Sequence, residues 1–304
     1  MVLYKNRWCT LSPLLFCIGI DWLMRTSVDK DTNGVKINRN TWLDDLDFAD
    51  DIALTSPTKE DMQQKTDIIS HNAAAVGLKI SQQKTKIMEV CGDQCEIKLN
   101  GEELEKVDAF TYLGSNISND GTLEEEVNTR IGKAGRAFWS LNKVWNSNII
   151  SLKNKMKLYN SCVLSVLLYS AETWCMKKAT AQKLLVFDNT CLRRICNIKW
   201  YQRIPNTQVR QSTSQHKITC ILNRRRMSWF GHVARMPRDR IVRKVMEWNP
   251  PGKRKRGRPK KTWRNTIDED LQTVNQCWRE AWHRAQERKQ LRATVAASCL
   301  CQEG

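Results

Sequence analysis

The residue pattern of this chain changes near residue 122. Before that point, short stretches with the alternation typical of strands are separated by turn signals such as Asn100-Gly101. After it, apolar residues recur at helical spacing, as in Leu152, Met156, Tyr159, Val163 and Val166. The change predicts an α+β fold, in which short antiparallel strands with helices come first and a mostly α-helical part follows.

The charge changes at about the same place. Residues 1–130 contain 14 Lys and Arg against 22 Asp and Glu, whereas residues 131–304 contain 36 against 10. A strongly basic second part predicts a polyanionic partner, and nucleic acid is the first class to consider. A membrane surface is the alternative, but no long apolar span or basic amphipathic anchor in the sequence supports it.

Twelve cysteines are scattered through the chain, and its first residues lack the apolar core of a signal peptide. We therefore expect reduced thiols in an intracellular protein, nuclear or cytoplasmic and not secreted. Zinc binding is one interpretation of the Cys and His residues in the second part. Ordinary packing is the other, because the spacings include no CxxC pair of the kind that zinc sites use. The zinc interpretation would use Cys191, Cys196, His216, Cys220 and His232.

Two adjacent carboxylates, Asp50 and Asp51, lie in the stretch FADDIAL. Residues 42–56 are predicted to form a hairpin with both carboxylates at its bend, and its arms carry the apolar residues Leu46, Phe48, Ile52 and Leu54. A solvated turn is one interpretation, because Asp is common at bends. The other is a site for two divalent cations such as Mg²⁺, which activate a 3′-hydroxyl and stabilise the leaving pyrophosphate.

Four segments in a fixed order resemble the reverse transcriptases of LINE-type non-LTR retrotransposons. They are CTLSPLLF at 9–16 with Ile20-Asp21, FADD at 48–51, GLKIS at 77–81 with Lys84-Thr85-Lys86, and FTYLG at 110–114. In that family they correspond to the helix behind the nucleotide site, the catalytic hairpin, the next palm element and the primer-grip strand. The basic second part also resembles the thumb and carboxy-terminal region of these elements, through RRRMSWFGHV at 224–233, GRP at 257–259 and Thr262-Trp263.

The resemblance implies a division of the chain into four parts. These are a partial reverse transcriptase palm over 1–121, a helical thumb or connection over 122–248, a basic linker over 249–262 and a carboxy-terminal helical tail over 263–304. The implied activity is that of an RNA-directed DNA polymerase, a nucleotidyltransferase that uses Mg²⁺. Its implied partners are an RNA template and a DNA primer or target.

The resemblance also implies roles for individual residues. Asp50 would be a catalytic metal ligand with Asp51 as its helper, and Lys84 would lie near the incoming triphosphate. Nucleic acid would contact the primer-grip residues Tyr112, Leu113 and Gly114. An exposed lysine without a special role remains the alternative for Lys84, and plain strand packing remains the alternative for Tyr112 and Leu113.

Two departures from the family pattern predict a fragment that is inactive alone. The family's site needs another aspartate on a strand several dozen residues before the 9–16 segment, and the sequence starts only eight residues before Cys9. The family's Gln-Gly before that cysteine is replaced by Arg7-Trp8, and a tryptophan blocks the close backbone approach that glycine allows. The alternatives are a non-catalytic nucleic-acid-binding protein that uses its basic half, and a remnant without a stable fold.

Two basic clusters are predicted to contact nucleic acid. The first comprises Arg224, Arg225 and Arg226, beside Trp229, although a solvated helix end is also open. The second comprises Lys253, Arg254, Lys255, Arg256, Arg258, Lys260 and Lys261. Its RGRP core resembles an AT-hook, whose arginines follow a narrow minor groove. A linker that contacts phosphates without preference and a nuclear localisation patch are the alternatives.

Overall fold

The computed structural model describes residues 11–28, 34–38, 41–90, 96–248 and 261–301, with side chains up to residue 296. The chain forms two compact units, Met1–Gly121 and Thr122–Gly304, called here the N-terminal unit and the C-terminal unit. No helix in the described ranges is both long enough and apolar enough to cross a membrane.

In its described residues, the N-terminal unit combines two helices with short strands. In chain order these are α1 (Leu11–Ser27), β1 (Val35–Asn38), β2 (Thr41–Leu43), β3 (Asp45–Phe48), β4 (Asp51–Leu54), α2 (Lys59–Ala75), β5 (Lys86–Ile87), β6 (Lys98–Leu99), β7 (Glu102–Glu103), β8 (Glu105–Lys106), β9 (Ala109–Tyr112) and β10 (Ser115–Ser118). Within the described part the strands pair two by two: β1–β2, β3–β4, β6–β7 and β9–β10 are antiparallel, and β5–β8 is parallel. The predicted mixture of helices and short antiparallel strands is confirmed.

Local chemistry accounts for the ends of α2. Thr58 caps its start by accepting a hydrogen bond from the backbone N–H of Asp61 at 3.2 Å. The glycine at position 77, just after the apolar positions of this stretch, predicts that the helix ends there. Gly77 has a φ of +76° and lets the N–H of Leu78 return to the carbonyl of Ala73 at 2.8 Å.

The larger apolar cluster among the described residues of the N-terminal unit lies where α1 packs against α2. Leu23 and Met24 of α1 are buried there with Ile69 and Ala73 of α2. Ile52 and Leu54 of β4 pack against the edge of the same cluster. This packing attaches one face of the β3–β4 hairpin to the core and leaves its tip exposed.

The C-terminal unit is helical in its described part. It contains α3 (Glu124–Ser140), α4 (Asn142–Asn146), α5 (Leu152–Leu158), α6 (Ser165–Leu167), α7 (Lys178–Ile195), α8 (Asn206–Thr213), α9 (Ile218–Ala234), α10 (Ile241–Glu247), α11 (Trp263–Gln272), α12 (Trp278–Ala285) and α13 (Arg288–Cys301). A π-helical turn, Tyr159–Leu164, joins α5 to α6, and short 3₁₀ turns cover Ala171–Thr173 and Trp200–Gln202.

The π-helical turn shifts the apolar stripe predicted for this region. The helical spacing predicts that Val166 faces the core, but Leu167 and Leu168 are fully buried while Val166 is only partly buried. A π turn holds one more residue than an α turn, so every later position rotates around the helix axis. The buried position predicted at Val166 is therefore occupied by Leu167.

Two apolar clusters among the described residues stabilise the C-terminal unit. The larger one extends from α3 to the first half of α9 and contains Phe138, Trp145, Tyr159, Leu184 and Leu192. The smaller one packs α11, α12 and α13 against α9 and contains Phe230, Ile267, Leu271, Ala281 and Leu291. The residues predicted as a tail thus form three helices that share a compact unit with residues 122–248. Most of the predicted linker, residues 249–260, lies outside the described residues.

Candidate functional site

The FADD segment forms the tip of the predicted hairpin. Strands β3 and β4 pair in an antiparallel register that places Phe48 opposite Asp51 and Leu46 opposite Ala53. The turn consists of Ala49, whose φ is +55°, and Asp50. Asp51 is already the first residue of β4. The predicted bend at Asp50-Asp51 is thus wrong by one residue, because the two-residue turn is made by Ala49 and Asp50.

The two arms of this hairpin present their apolar residues on opposite faces. Residues directly opposite each other in an antiparallel pair share a face. Ile52, which packs against the core, therefore shares its face with Asp47, which is exposed. Phe48 shares the other face with Asp51 and is 64% exposed. Asp50 and Asp51 are both exposed. The hairpin therefore presents two adjacent carboxylates and an aromatic ring to the surroundings.

A buried ion pair supports the base of the hairpin. Lys65 Nζ of α2 lies 2.9 Å from Asp44 Oδ1, and both side chains are buried. Lys65 also donates to the carbonyl oxygen of Thr55 at 2.9 Å, and the N–H of Thr55 donates to the carbonyl of Asp44 at 2.8 Å. The residues that flank the hairpin are thus tied to each other and to α2.

The Asp44–Lys65 pair was not predicted from the sequence, although the sequence contains a signal for it. Lys65 lies three residues after Met62 and four before Ile69, which places a charge on the apolar face of α2. A lysine in that position predicts a buried carboxylate partner, since buried charges are paired.

Tyr112 joins a second hairpin to the first. Strands β9 and β10 are connected by Leu113 and Gly114, with φ values of +47° and +82°. The Tyr112 hydroxyl donates a hydrogen bond to the carbonyl oxygen of Leu46 in β3 at 3.0 Å. Partial burial raises the pKa of Tyr112, and the nearby charges of Asp51 and Asp47 raise it further. The structure therefore brings Tyr112 of the predicted primer grip next to the FADD hairpin.

Lys84 lies in the turn that precedes β5 and is exposed. Its amino group makes no hydrogen bond or ion pair to another residue in the described part of the chain. The role predicted for it next to a triphosphate stays a prediction.

The carboxylates of the hairpin do not form a complete metal site. In residues 11–28, 34–38, 41–90, 96–248 and 261–301, no three His, Cys, Asp or Glu side chains are arranged to hold a metal ion. Asp50 and Asp51 therefore fit only part of the ligand set of a divalent cation, which takes about six oxygen ligands.

Zinc was one of two interpretations of Cys191, Cys196, His216, Cys220 and His232, and no three of these described side chains come together to hold a metal ion. Cys191 is buried in the large core of the C-terminal unit, where burial raises the pKa of its thiol to about 12. Packing is the interpretation that the structure favours for Cys191.

The first basic cluster divides into three different environments. Arg224 is exposed, whereas Arg225 is half-buried and donates to the carbonyl oxygen of Leu168. Arg226 is buried and holds Asp270 through two hydrogen bonds, Nε to Oδ2 at 2.7 Å and Nη2 to Oδ1 at 2.9 Å. Arg226 is thereby removed from the predicted nucleic-acid surface, because it lies on the face of α9 that packs against α11.

The second basic cluster is described only at its end. Lys261 Nζ lies 2.6 Å from Glu269 Oε2 in α11. The other predicted contacts, Lys253, Arg254, Lys255, Arg256, Arg258 and Lys260, lie outside the described residues.

The FADD hairpin lies within a stretch that matches a known protein family. Residues 9–117 match the family model described as reverse transcriptase (RNA-dependent DNA polymerase). That stretch includes the FADD hairpin, Lys84 and the Tyr112–Gly114 segment. Such a domain implies a general dependence on a divalent cation and binding to a nucleic-acid template and primer.

Two further similarities extend into the C-terminal unit. Residues 137–169 match a domain of unknown function (DUF6451), which spans the π-helical turn. The chain is also 27% identical over 241 residues to a transposon-derived protein of Caenorhabditis elegans. The matched residues cover 76% of this chain and 86% of that protein. The comparisons thus relate residues 9–117 to reverse transcriptases and most of the chain to a transposon-derived protein.

Proposed function

We propose that this chain is part of a LINE-type non-LTR retrotransposon reverse transcriptase. Residues 1–121 would form part of the palm, residues 122–248 the thumb or connection, and both would act inside the cell. One observation carries the proposal: an exposed Asp50-Asp51 pair lies at the tip of a braced hairpin within the stretch that matches the reverse transcriptase model.

The bracing suits a metal ligand. Mg²⁺ demands near-ideal ligand geometry, which a mobile turn does not supply. The Asp44–Lys65 pair holds the base of this hairpin to α2, and the Tyr112 hydroxyl holds strand β3 at the carbonyl oxygen of Leu46. The two adjacent carboxylates repel each other, and a bound cation would relieve that repulsion.

With only two carboxylates at the hairpin tip, we expect that the chain does not extend a primer by itself. Two carboxylates leave most of the coordination shell of Mg²⁺ to other ligands, and the described residues supply no third acidic ligand. Nucleotide addition would then need acidic ligands from outside the described residues.

Mn²⁺ binding measured by electron paramagnetic resonance tests the role of the carboxylates. We expect weak binding to the purified chain and a loss of at least tenfold in Asp50→Asn/Asp51→Asn. The matched control, Asp21→Asn/Asp67→Asn, removes two exposed carboxylates elsewhere in the same unit and should change little. Equal losses in the two double variants would overturn the assignment.

Primer extension on an RNA template tests the activity. We expect no product from the purified chain in Mg²⁺. Product that disappears in Asp50→Asn/Asp51→Asn would contradict the expected inactivity while supporting reverse transcription.

A second candidate function is non-catalytic nucleic-acid binding. It is favoured by the 36 basic against 10 acidic residues of positions 131–304. This function requires that binding is strong in EDTA, falls steeply with salt and is unaffected in Asp50→Asn/Asp51→Asn. An AT-hook would add preference for A·T-rich duplexes, lost in Arg256→Ala/Arg258→Ala but kept in the control Lys253→Ala/Lys255→Ala.

A further inference from the structure

A cleft of about 550 Å³ opens in the C-terminal unit between α9, α13 and the 3₁₀ turn Ala171–Thr173. Helix α9 contributes Arg225 and Trp229 to its walls, Arg235 directly follows the last residue of α9, and α13 contributes Arg288 and Arg292. The cleft lies far along the chain from the residues that match the reverse transcriptase model, which end at 117.

The charge in this cleft is strongly positive, and the described residues offset only a small part of it. Four guanidinium groups line it against one carboxylate, Glu172. Within the described part of the chain, none of the four arginines forms an ion pair. Unpaired arginines gathered in a recess are the pattern expected of a site for phosphate groups.

Backbone carbonyls orient two of these arginines. Arg225 donates to the carbonyl oxygen of Leu168, and Arg235 Nη1 donates to that of Ala285 at 2.7 Å. A carbonyl fixes the position of a guanidinium while leaving its full charge and its other N–H donors for a ligand. Such preorganisation reduces the entropy lost on binding.

Arg235 and Arg288 also repel each other. Burial lowers the pKa of Arg235, and the positive charge of Arg288 lowers it further. An anion between the two would relieve this repulsion.

A close helix crossing holds the walls of the cleft together. A Cβ atom built on Gly231 of α9 would lie 1.9 Å from Leu291 Cδ2 of α13. With the Leu291 side chain in this position only glycine fits at residue 231, and Arg288 and Arg292 flank the contact on α13. The spacing of the basic side chains across the cleft therefore depends on the crossing.

Trp229 supplies an aromatic surface among the charges. It is half-buried, and its ring centroid lies 5.4 Å from that of His232 at an interplanar angle of 36°. Aromatic rings within a basic groove stack on bases, and only an unpaired base can leave its neighbours to enter a recess. This combination favours a single strand over a duplex.

We propose that this cleft binds single-stranded nucleic acid, with phosphates on Arg225, Arg235, Arg288 and Arg292 and an unstacked base against Trp229. The proposal rests on the proposed function, because it assigns nucleic-acid binding to one defined site in the C-terminal unit.

Fluorescence anisotropy of a labelled 12-nucleotide RNA single strand, titrated with the full chain at several salt concentrations, tests the charges. Arg288→Gln/Arg292→Gln should weaken binding at least tenfold and reduce the slope of log affinity against log salt by about 1.4, or about 0.7 per lost phosphate contact. The matched control, Arg279→Gln/Arg284→Gln, removes the same charge from exposed positions on α12. Equal losses in both variants would overturn the proposal in favour of general charge attraction.

The same titration tests the aromatic contact. Trp229→Leu should weaken binding by about 5- to 100-fold without changing the salt slope, and Trp229→Phe should restore part of the affinity. Circular dichroism of each variant establishes that the unit is folded. Unchanged affinity in folded Trp229→Leu, or equal competition by a duplex or by free mononucleotide, would overturn the single-strand assignment.

Two failures can be told apart. If the unaltered chain binds neither single-stranded nor duplex nucleic acid, the nucleic-acid part of the proposed function fails. If it binds and the cleft variants bind equally well, only the cleft assignment fails.

Discussion

Lys65 Nζ and Asp44 Oδ1 lie 2.9 Å apart in the interior of the N-terminal unit, with 4% and 7% of their side chains exposed. This pair connects α2 to the residue that precedes the FADD hairpin. A buried ion pair adds little net stability compared with apolar residues of the same size, but breaking it leaves a buried charge without a partner. Here the Asp44–Lys65 pair fixes the position of the hairpin relative to α2.

Replacing Lys65 by Met should therefore lower the free energy of unfolding by about 3–5 kcal/mol, because Asp44 stays buried and unpaired. Urea denaturation followed by circular dichroism measures this loss. Lys59→Met, on the exposed start of α2, should change stability by less than about 0.5 kcal/mol. Asp44→Leu/Lys65→Met should recover most of the loss, and equal effects of Lys65→Met and Lys59→Met would refute the structural role.

Asp51→Asn should lower the pKa of Tyr112. The negative charge of Asp51 disfavours the phenolate, so its removal makes the phenol easier to ionise, while the larger effect of burial remains. Titration of ¹³C-labelled tyrosine by NMR measures the shift, with Tyr201 of the C-terminal unit as internal control. An unchanged Tyr112 pKa would show that the two hairpins are not adjacent in solution.

Alkylation at pH 8 should separate the cysteines into two classes. Cys17, Cys162 and Cys277 are exposed and should react within minutes, whereas Cys191 and Cys220 are buried. Cys191 is further protected because its thiol stays protonated at this pH. Peptide mass spectrometry after timed iodoacetamide treatment reads out each site, and rapid labelling of Cys191 without unfolding would contradict the packing.

The stability of the C-terminal unit should fall in alkaline solution. The Cys191 thiol has a pKa of about 12 in the fold, against 9.0 as its ordinary value. The folded state therefore keeps a proton that the unfolded state loses, and the stabilisation present below pH 9 is lost progressively as the pH rises towards 12.

Burial also raises the pKa of Tyr159 and adds to this trend. In Cys191→Ala, the decline in urea midpoint between pH 8 and pH 10.5 should be shallower than in the unaltered chain, each compared with its own value at pH 7. Parallel curves for the two proteins would rule out the contribution of Cys191.

Gly231→Ala should destabilise the C-terminal unit. The added methyl would overlap Leu291, which is buried and has little room to move, and overpacking of this kind costs about 1–3 kcal/mol. Gly132→Ala is the matched control, since that glycine of α3 has open space around it, and the change should stabilise by about 0.5–1 kcal/mol. Thermal unfolding measures both, and a stabilised Gly231→Ala would contradict the close crossing.

Local sequence chemistry predicted several elements correctly. Asn100-Gly101 indicated the β6–β7 hairpin, and both residues have positive φ values, +53° and +87°. Gly77 indicated the end of α2 for the same steric reason. The FADD segment was correctly predicted as a hairpin, although its turn was displaced by one residue. These features depend on backbone conformations that neighbouring residues dictate.

The sequence by itself thus determined the hairpins, the ends of helices and the segregation of charge, because each depends on residues that are neighbours in the chain. Tertiary structure alone decided which charges are buried and which are free. Arg225 and Arg226 are adjacent in sequence, yet one lines the basic cleft and the other is held by Asp270. That difference arises from the packing of α9 against helices about 40 or more residues away, and no local pattern encodes it.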